Sequence, residues 1–200
     1  MVTTAIFDIG GVLITPSEKV TPLIISQILS IPVEVAVSEY NQAIAALRTG
    51  KNSVTDMVNR LNSRYQNGMT VTDLDHLYSK FYKQQAVINT EIMGYLKIIH
   101  ERIVTVAFSN MIDIHVRCNR ERQLFQYFHK VYLSSVTGWV KPDKSAFDHI
   151  LNDLKVSPSD CIFVDDKQEN VDVATGLGMV ATLYDTPEKL CGFLEKQGVI

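Results

Sequence analysis

Apolar positions fall into two patterns along this chain. Five short segments, 3–8, 103–108, 131–135, 161–165 and 179–184, are nearly continuous runs of β-branched, aromatic and small apolar residues. Runs of this kind predict strands buried on both faces, as in a parallel sheet covered by helices. The last four alternate with helix-length segments, which implies right-handed βαβ crossovers and an α/β layered sheet. Residues 9–102 contain no convincing strand, a gap far longer than an ordinary crossover.

Within that gap the periodicity is helical. Val54, Met57, Val58, Leu61 and Tyr65 keep to one helical face, as do Val71, Leu74, Tyr78 and Phe81. Ser53 with Asp56 and Thr70 with Asp73 have the form of N-caps followed by first-turn acids, and Gly50 and Gly68 stand where helices end. Pro16, Pro22 and Pro32 predict that the early part is broken into short helices. The expected division is an α/β core over 1–14 and 86–200, with a helical bundle over 15–85 inserted after the first strand. Residues 91–100 then return the chain to the sheet.

Composition narrows the function. Of 200 residues, 46% are hydrophobic and 20% charged, the balance of a globular chain with a real core. A net charge of -3 gives no bulk attraction for nucleic acid or an anionic membrane, so neither is expected as a partner and any anion must be held locally. No apolar run approaches the ~20 residues needed to cross a bilayer. Cys118, Cys161 and Cys191 are widely spaced with no CxxC pair, and the N-terminus has no basic leader; a reducing, cytoplasmic setting is expected.

The chemistry lies at the carboxyl ends of the strands. Asp8 closes the first run and is followed by Gly10-Gly11, and Asp165-Asp166 repeat the arrangement after Cys161-Ile162-Phe163-Val164. A buried carboxylate needs a cation or several donors beside it. Two such strand ends brought together make a hard oxygen-ligand site suited to Mg²⁺, whereas either alone reads equally well as a helix cap. Ser109-Asn110 ends the second strand with a hydroxyl and an amide that suit a phosphoryl oxygen. Lys141, before Pro142, is held by stiff backbone and can balance nearby negative charge; Pro142 is expected to open the helix containing Phe147 and Ile150.

In this order, the strings FDIGGVL, FSN, KPDKSAFDHIL and FVDDKQENVDVATGLGM resemble the haloacid dehalogenase-like hydrolase superfamily, and more closely its phosphatases with a helical cap after the first motif. The resemblance spans essentially the whole chain. It implies a Rossmann-like parallel sheet of order 3-2-1-4-5, with the first and fourth strands flanking the switch point. It also implies Asp8 as nucleophile and metal ligand, Ser109 as the phosphate-binding hydroxyl with Asn110 beside it, and Lys141 as the neutralising cation. Asp166 matches the metal-binding acid, Gly10 offers the metal its backbone carbonyl, and Asp165 and Asn170 act from behind. The implied reaction is Mg²⁺-dependent hydrolysis of a small phosphomonoester, such as a sugar phosphate, through an aspartyl-phosphate on Asp8.

One departure bears on mechanism. Phosphatases of the superfamily usually carry an aspartate where this chain has Gly10, and that acid protonates the leaving oxygen. Glu18 or Glu39 from the cap, a bound water, or a substrate needing little protonation could replace it. Two other readings follow from the same glycine: a metal-independent 2-haloacid dehalogenase, and a catalytically weakened module kept for binding. Lys19, Tyr40, Arg48 and His76 are cap positions better read as surface or packing residues. Trp139 is expected to pack on a loop. His100, His115, His129 and His149 lack metal-ligand spacing and read as surface or capping residues, with His115 the exception for its closeness to Ser109. Neither oligomeric state nor substrate is written in the sequence.

Overall fold

The structure is a computed structural model that describes residues 1–14, 20–65, 68 and 70–200, the Val71 side chain excepted. Five parallel strands, β1 (Thr4–Phe7), β2 (Val104–Ser109), β3 (Lys130–Leu133), β4 (Cys161–Asp165) and β5 (Val180–Leu183), form one sheet of order β3-β2-β1-β4-β5. Strand alternation sends Ala5, Phe7, Ala107, Leu133, Ile162 and Val164 into one apolar cluster, and Ile6, Val106, Phe108, Tyr132 and Phe163 into another on the opposite face. Both faces are therefore buried, which is why the strands read as continuous apolar runs.

Among the described residues, four helices intervene between β1 and the return to the sheet: α1 (Val20–Leu29), α2 (Val33–Arg48), α3 (Val54–Tyr65) and α4 (Val71–Gln85). The connections on either side of them pair in antiparallel sense at Ile14 and Ile88, and Asn89 N–H donates to Leu13 C=O at 2.8 Å. Asn89 then caps α5 (Thr90–His100) by accepting from the N–H groups of Glu91 and Ile92. The remaining helices are α6 (Asp113–Glu121), α7 (Ser134–Thr137), α8 (Lys144–Leu154), α9 (Gln168–Gly176) and α10 (Pro187–Lys196). Among the described residues no helix is long and apolar enough to cross a membrane.

The helical stripes hold where they can be compared. Val54, Met57, Val58, Leu61, Leu74 and Tyr78 are buried, whereas Tyr65 lies exposed at the end of α3. The break expected at Pro32 is present, between α1 and α2, although α2 then runs unbroken for 16 residues; Pro22 makes none, because it sits inside the first turn of α1, where a missing N–H costs nothing. Pro16 lies outside the described residues. Pro142 does not open α8; Asp143 stands at its N-cap and the helix begins at Lys144, after a cis Lys141–Pro142 bond. β3 ends before Ser134, because Ser134 already starts α7.

Candidate active site

Register brings the strand ends together. Phe7 is level with Ala107 of β2 and Val164 of β4, so Asp8 comes level with Phe108 and Asp165, with Ser109 and Asp166 one residue further on. Asp8 N–H donates to Val164 C=O at 2.8 Å, extending the pairing by one residue. The chain then turns tightly: the N–H groups of Leu13 and Ile14 both bond Ile9 C=O, and Gly11 N–H bonds Ile14 C=O. Gly11 has φ +88°, and a Cβ built on it would lie 2.0 Å from Asp166 Oδ2. Asp166 thus packs where only glycine leaves room.

Three carboxylates meet here. Asp8, Asp165 and Asp166 each offer an oxygen within 4.8 Å of the others. Lys141 provides the cation, its Nζ 3.0 Å from Asp8 Oδ1 and donating to Asp165 Oδ2 at 2.5 Å. Lys141 is 3% exposed, and its ammonium lies 5.1 Å from the centre of the Phe108 ring and 5.7 Å from that of Phe163. Asp165, fully buried, also accepts from Lys167 N–H at 2.9 Å and Asn170 Nδ2 at 2.8 Å through Oδ1. It is held by bonds on both oxygens.

The other two carboxylates are less satisfied. Asp8 Oδ1 has its ion pair but no well-formed hydrogen bond, and buried Asp166 Oδ1 has no partner. Burial holds the Asp8 carboxyl above the usual range despite Lys141, which pulls it down, and the neighbouring Asp165 adds to the rise. Asp166 is pushed up to about 6 by burial, then by the charges of Asp8 and Asp165. Crowded carboxylate oxygens lacking donors fit a hard divalent cation, which would favour the ionised form of both groups.

Ser109 is buried at the end of β2 beside this cluster. The Asn110 side chain bonds the Lys141 backbone at both ends. Its Oδ1 accepts from Lys141 N–H at 2.9 Å and its Nδ2 donates to Lys141 C=O at 2.7 Å. The side chain therefore fixes the lysine's backbone. Ser134, which the sequence did not single out, does similar work one strand away: its buried Oγ accepts from Met111 N–H at 3.1 Å and holds the turn after β2. Gly11 and Lys167 were also missed. The Gly10-Gly11 pair was the signal for the first; a backbone donor such as that of Lys167 leaves none.

The remaining candidates disperse. Glu39 accepts from Arg64 Nη1 at 2.6 Å, Tyr40 is buried, Arg48 is half-buried and His76 is exposed. Glu18 and Lys19 lie outside the described residues. His115, the histidine excepted from the surface reading, is buried under the inserted helices, stacked on Tyr82 with ring centres 4.0 Å apart, and its Nε2 is 2.9 Å from Tyr78 Oη. Trp139 stacks on His149 at 5.0 Å. Cys118 and Cys161 are buried and Cys191 half-buried, all as free thiols.

Comparison with known proteins agrees with this arrangement. The chain is 25% identical over 187 residues to D-ribitol-5-phosphate phosphatase of Bacteroides thetaiotaomicron, covering 89% of each chain. Its fold superposes with a TM-score of 0.77 on a HAD-family enzyme of the same organism solved with magnesium and inorganic phosphate, at 22% identity over 92% of this chain and 95% of that one. A 2-haloacid dehalogenase from Pseudomonas syringae pv. tomato superposes at 0.66, with 18% identity, 98% of this chain and 100% of that one. The sequence profile of the haloacid dehalogenase-like hydrolases matches residues 2–178, and with the 3-2-1-4-5 sheet and its acidic strand ends this makes the chain a member of that family.

Proposed function

We propose that this protein is a Mg²⁺-dependent phosphatase that hydrolyses a small phosphomonoester, with sugar phosphates the first class to try, through an aspartyl-phosphate on Asp8. The observation that carries the reading is the buried Asp8 carboxylate paired with Lys141 at 3.0 Å and clustered with two further carboxylates. Similarity to a D-ribitol-5-phosphate phosphatase along most of both chains supports it. The three crowded carboxylates weigh against a metal-free dehalogenase, since Lys141 alone would have to compensate them.

In this reading Asp8, Asp166 and the Gly10 carbonyl hold the ion, which supplies positive charge to the phosphoryl oxygens when bound. Asp8 attacks phosphorus in line, forming an acyl phosphate that water later cleaves. Lys141 offsets charge on the transferring group, and its position is set by Asn110 on its backbone and Asp165 on its ammonium. The Ser109 hydroxyl donates to a phosphoryl oxygen. Asn170 and Lys167 N–H hold Asp165 in place. The four-helix insertion acts as a cap over the strand ends and selects the substrate.

The test is a panel of sugar phosphates, nucleotides and aryl phosphates assayed with and without Mg²⁺ on wild type and Asp8→Asn. Turnover should require both the ion and Asp8, with Asp8→Asn lowering kcat by at least about a thousandfold. Chloride release from 2-haloacids without metal, or Mg²⁺-dependent turnover surviving in Asp8→Asn, would refute the proposal.

A further inference from the structure

The fold of the described residues does not require glycine at position 10. The φ of Gly10 lies outside the left-handed region, and a Cβ built on it meets no atom of the described residues within 4 Å. Neither backbone strain nor crowding calls for glycine here, in contrast to the adjoining Gly11, on which Asp166 packs. A side chain fits at position 10, and the chain does without one.

Among the described residues no acid at the site is spare. Among the described residues the carboxylates gathered at the site are Asp8, Asp165 and Asp166. Asp8 is the nucleophile of the proposed reaction, and Asp166 is committed to the ion. Asp165 has both oxygens bonded, and the Lys141 ammonium is shared between Asp8 and Asp165. Glu39 is paired with Arg64. An alkoxide departs slowly unless an acid protonates it in the transition state, whereas an oxygen that is stable as an anion departs unaided.

Resting on the phosphatase reading but narrowing its substrates away from alkyl sugar phosphates, we infer that this site is built for phosphoryl compounds whose leaving group departs unprotonated: acyl, enol or aryl phosphates, with the space over Gly10 left to the substrate. In the first step an Asp8 oxygen forms a bond to phosphorus while the bond from phosphorus to the leaving oxygen breaks. That oxygen keeps the electron pair and departs as a carboxylate, enolate or aryloxide, taking no proton. In the second step water attacks phosphorus, the bond to Asp8 breaks and its carboxylate is restored. Both hydrogens of the water leave on inorganic phosphate.

The experiment is the dependence of kcat/KM on the leaving group, with Mg²⁺ present, across acetyl, 4-nitrophenyl, phenyl and ethyl phosphate and ribitol 5-phosphate. Wild type should lose at least about a hundredfold from the first two compounds to the last two. Gly10→Asp should recover about tenfold or more on the alkyl phosphates, and Gly10→Asn, which fills the space without an acid, should not. A flat series in wild type that still depends on Asp8 would overturn this inference alone, and steepening of that series in Glu18→Gln would identify the acid. A steep series unchanged in a folded Gly10→Asp would also overturn it. Absence of turnover on every compound would sink the phosphatase reading with it.

Discussion

At the scale of single residues, the site is organised around one buried ammonium. Lys141 is held at both ends, its backbone by the Asn110 amide and its Nζ by two carboxylates, so its charge is placed with little freedom. Removing one partner of a buried ion pair strands the rest, a loss of about 3–5 kcal/mol. Lys141→Met should therefore destabilise the fold by about that amount in urea titrations, as well as abolish turnover. Adding Asp165→Asn should restore part of the stability and none of the activity. A loss below about 1 kcal/mol for Lys141→Met would mean that the three carboxylates do not depend on this lysine.

At the scale of elements, two glycines that look alike in sequence separate in the structure. Gly50 and Gly68 both stand where helices were expected to end, and both have positive φ, +71° and +66°. A Cβ on Gly68 would meet no atom of the described residues within 4 Å, whereas one on Gly50 would lie 2.1 Å from Ser135 C=O in α7, on the sheet side of the molecule. Gly68→Ala should cost only the left-handed backbone penalty, about 1–2 kcal/mol. Gly50→Ala should cost clearly more in the same denaturation assay, because backbone of α7 or of the insertion has to move. Equal losses would show that the contact between the insertion and α7 is loose. The caps, by contrast, are local and were legible: Thr70 and Asp73 form the reciprocal capping box their spacing suggested, and Ser53 accepts from Asp56 N–H.

At the scale of the whole molecule, the insertion and the sheet share one core. The apolar cluster runs without a break from Phe7 and Ala107 through Ile24, Leu29 and Tyr40 to Met57 and Leu74. Within it lies a polar seam: Tyr78 Oη donates to Thr21 Oγ1, His115 of α6 meets Tyr78, and Asn119 donates to Tyr82 Oη. Arg122 closes the seam by donating to Asn119 Oδ1 and to Ala86 C=O at the end of α4. Burial, with a smaller effect from Arg122, lowers the His115 pKa to about 3. Since an unfolded histidine titrates near 6.5, the unfolded state binds the extra proton between these values, and stability falls as pH drops from about 6.5 towards 3. The steepest slope is about 1.4 kcal/mol per pH unit. The raised pKa of Asp166 acts in the opposite sense, favouring the folded state at low pH, so the histidine is best isolated by difference. Unfolding free energies measured from pH 7 to 4.5 should fall more steeply in wild type than in His115→Gln; parallel curves would show that His115 is protonated in the folded protein.

The sequence alone determined what depends on neighbours along the chain: which segments are strands, which faces of the helices are apolar, where the helices capped by Ser53 and Thr70 begin, and that acids stand at strand ends. Those signals are periodicities and caps, and they act over a few residues. Tertiary structure decided what depends on register between distant strands and on packing of the insertion. It joined Asp8 to Asp165 and Asp166, turned Asn110 onto the Lys141 backbone, buried His115 beneath α1 and α4, and distinguished Gly50 from Gly68. Each of these is set by contacts across tens of residues, where a side chain's partner follows from the fold and not from its neighbours in the chain.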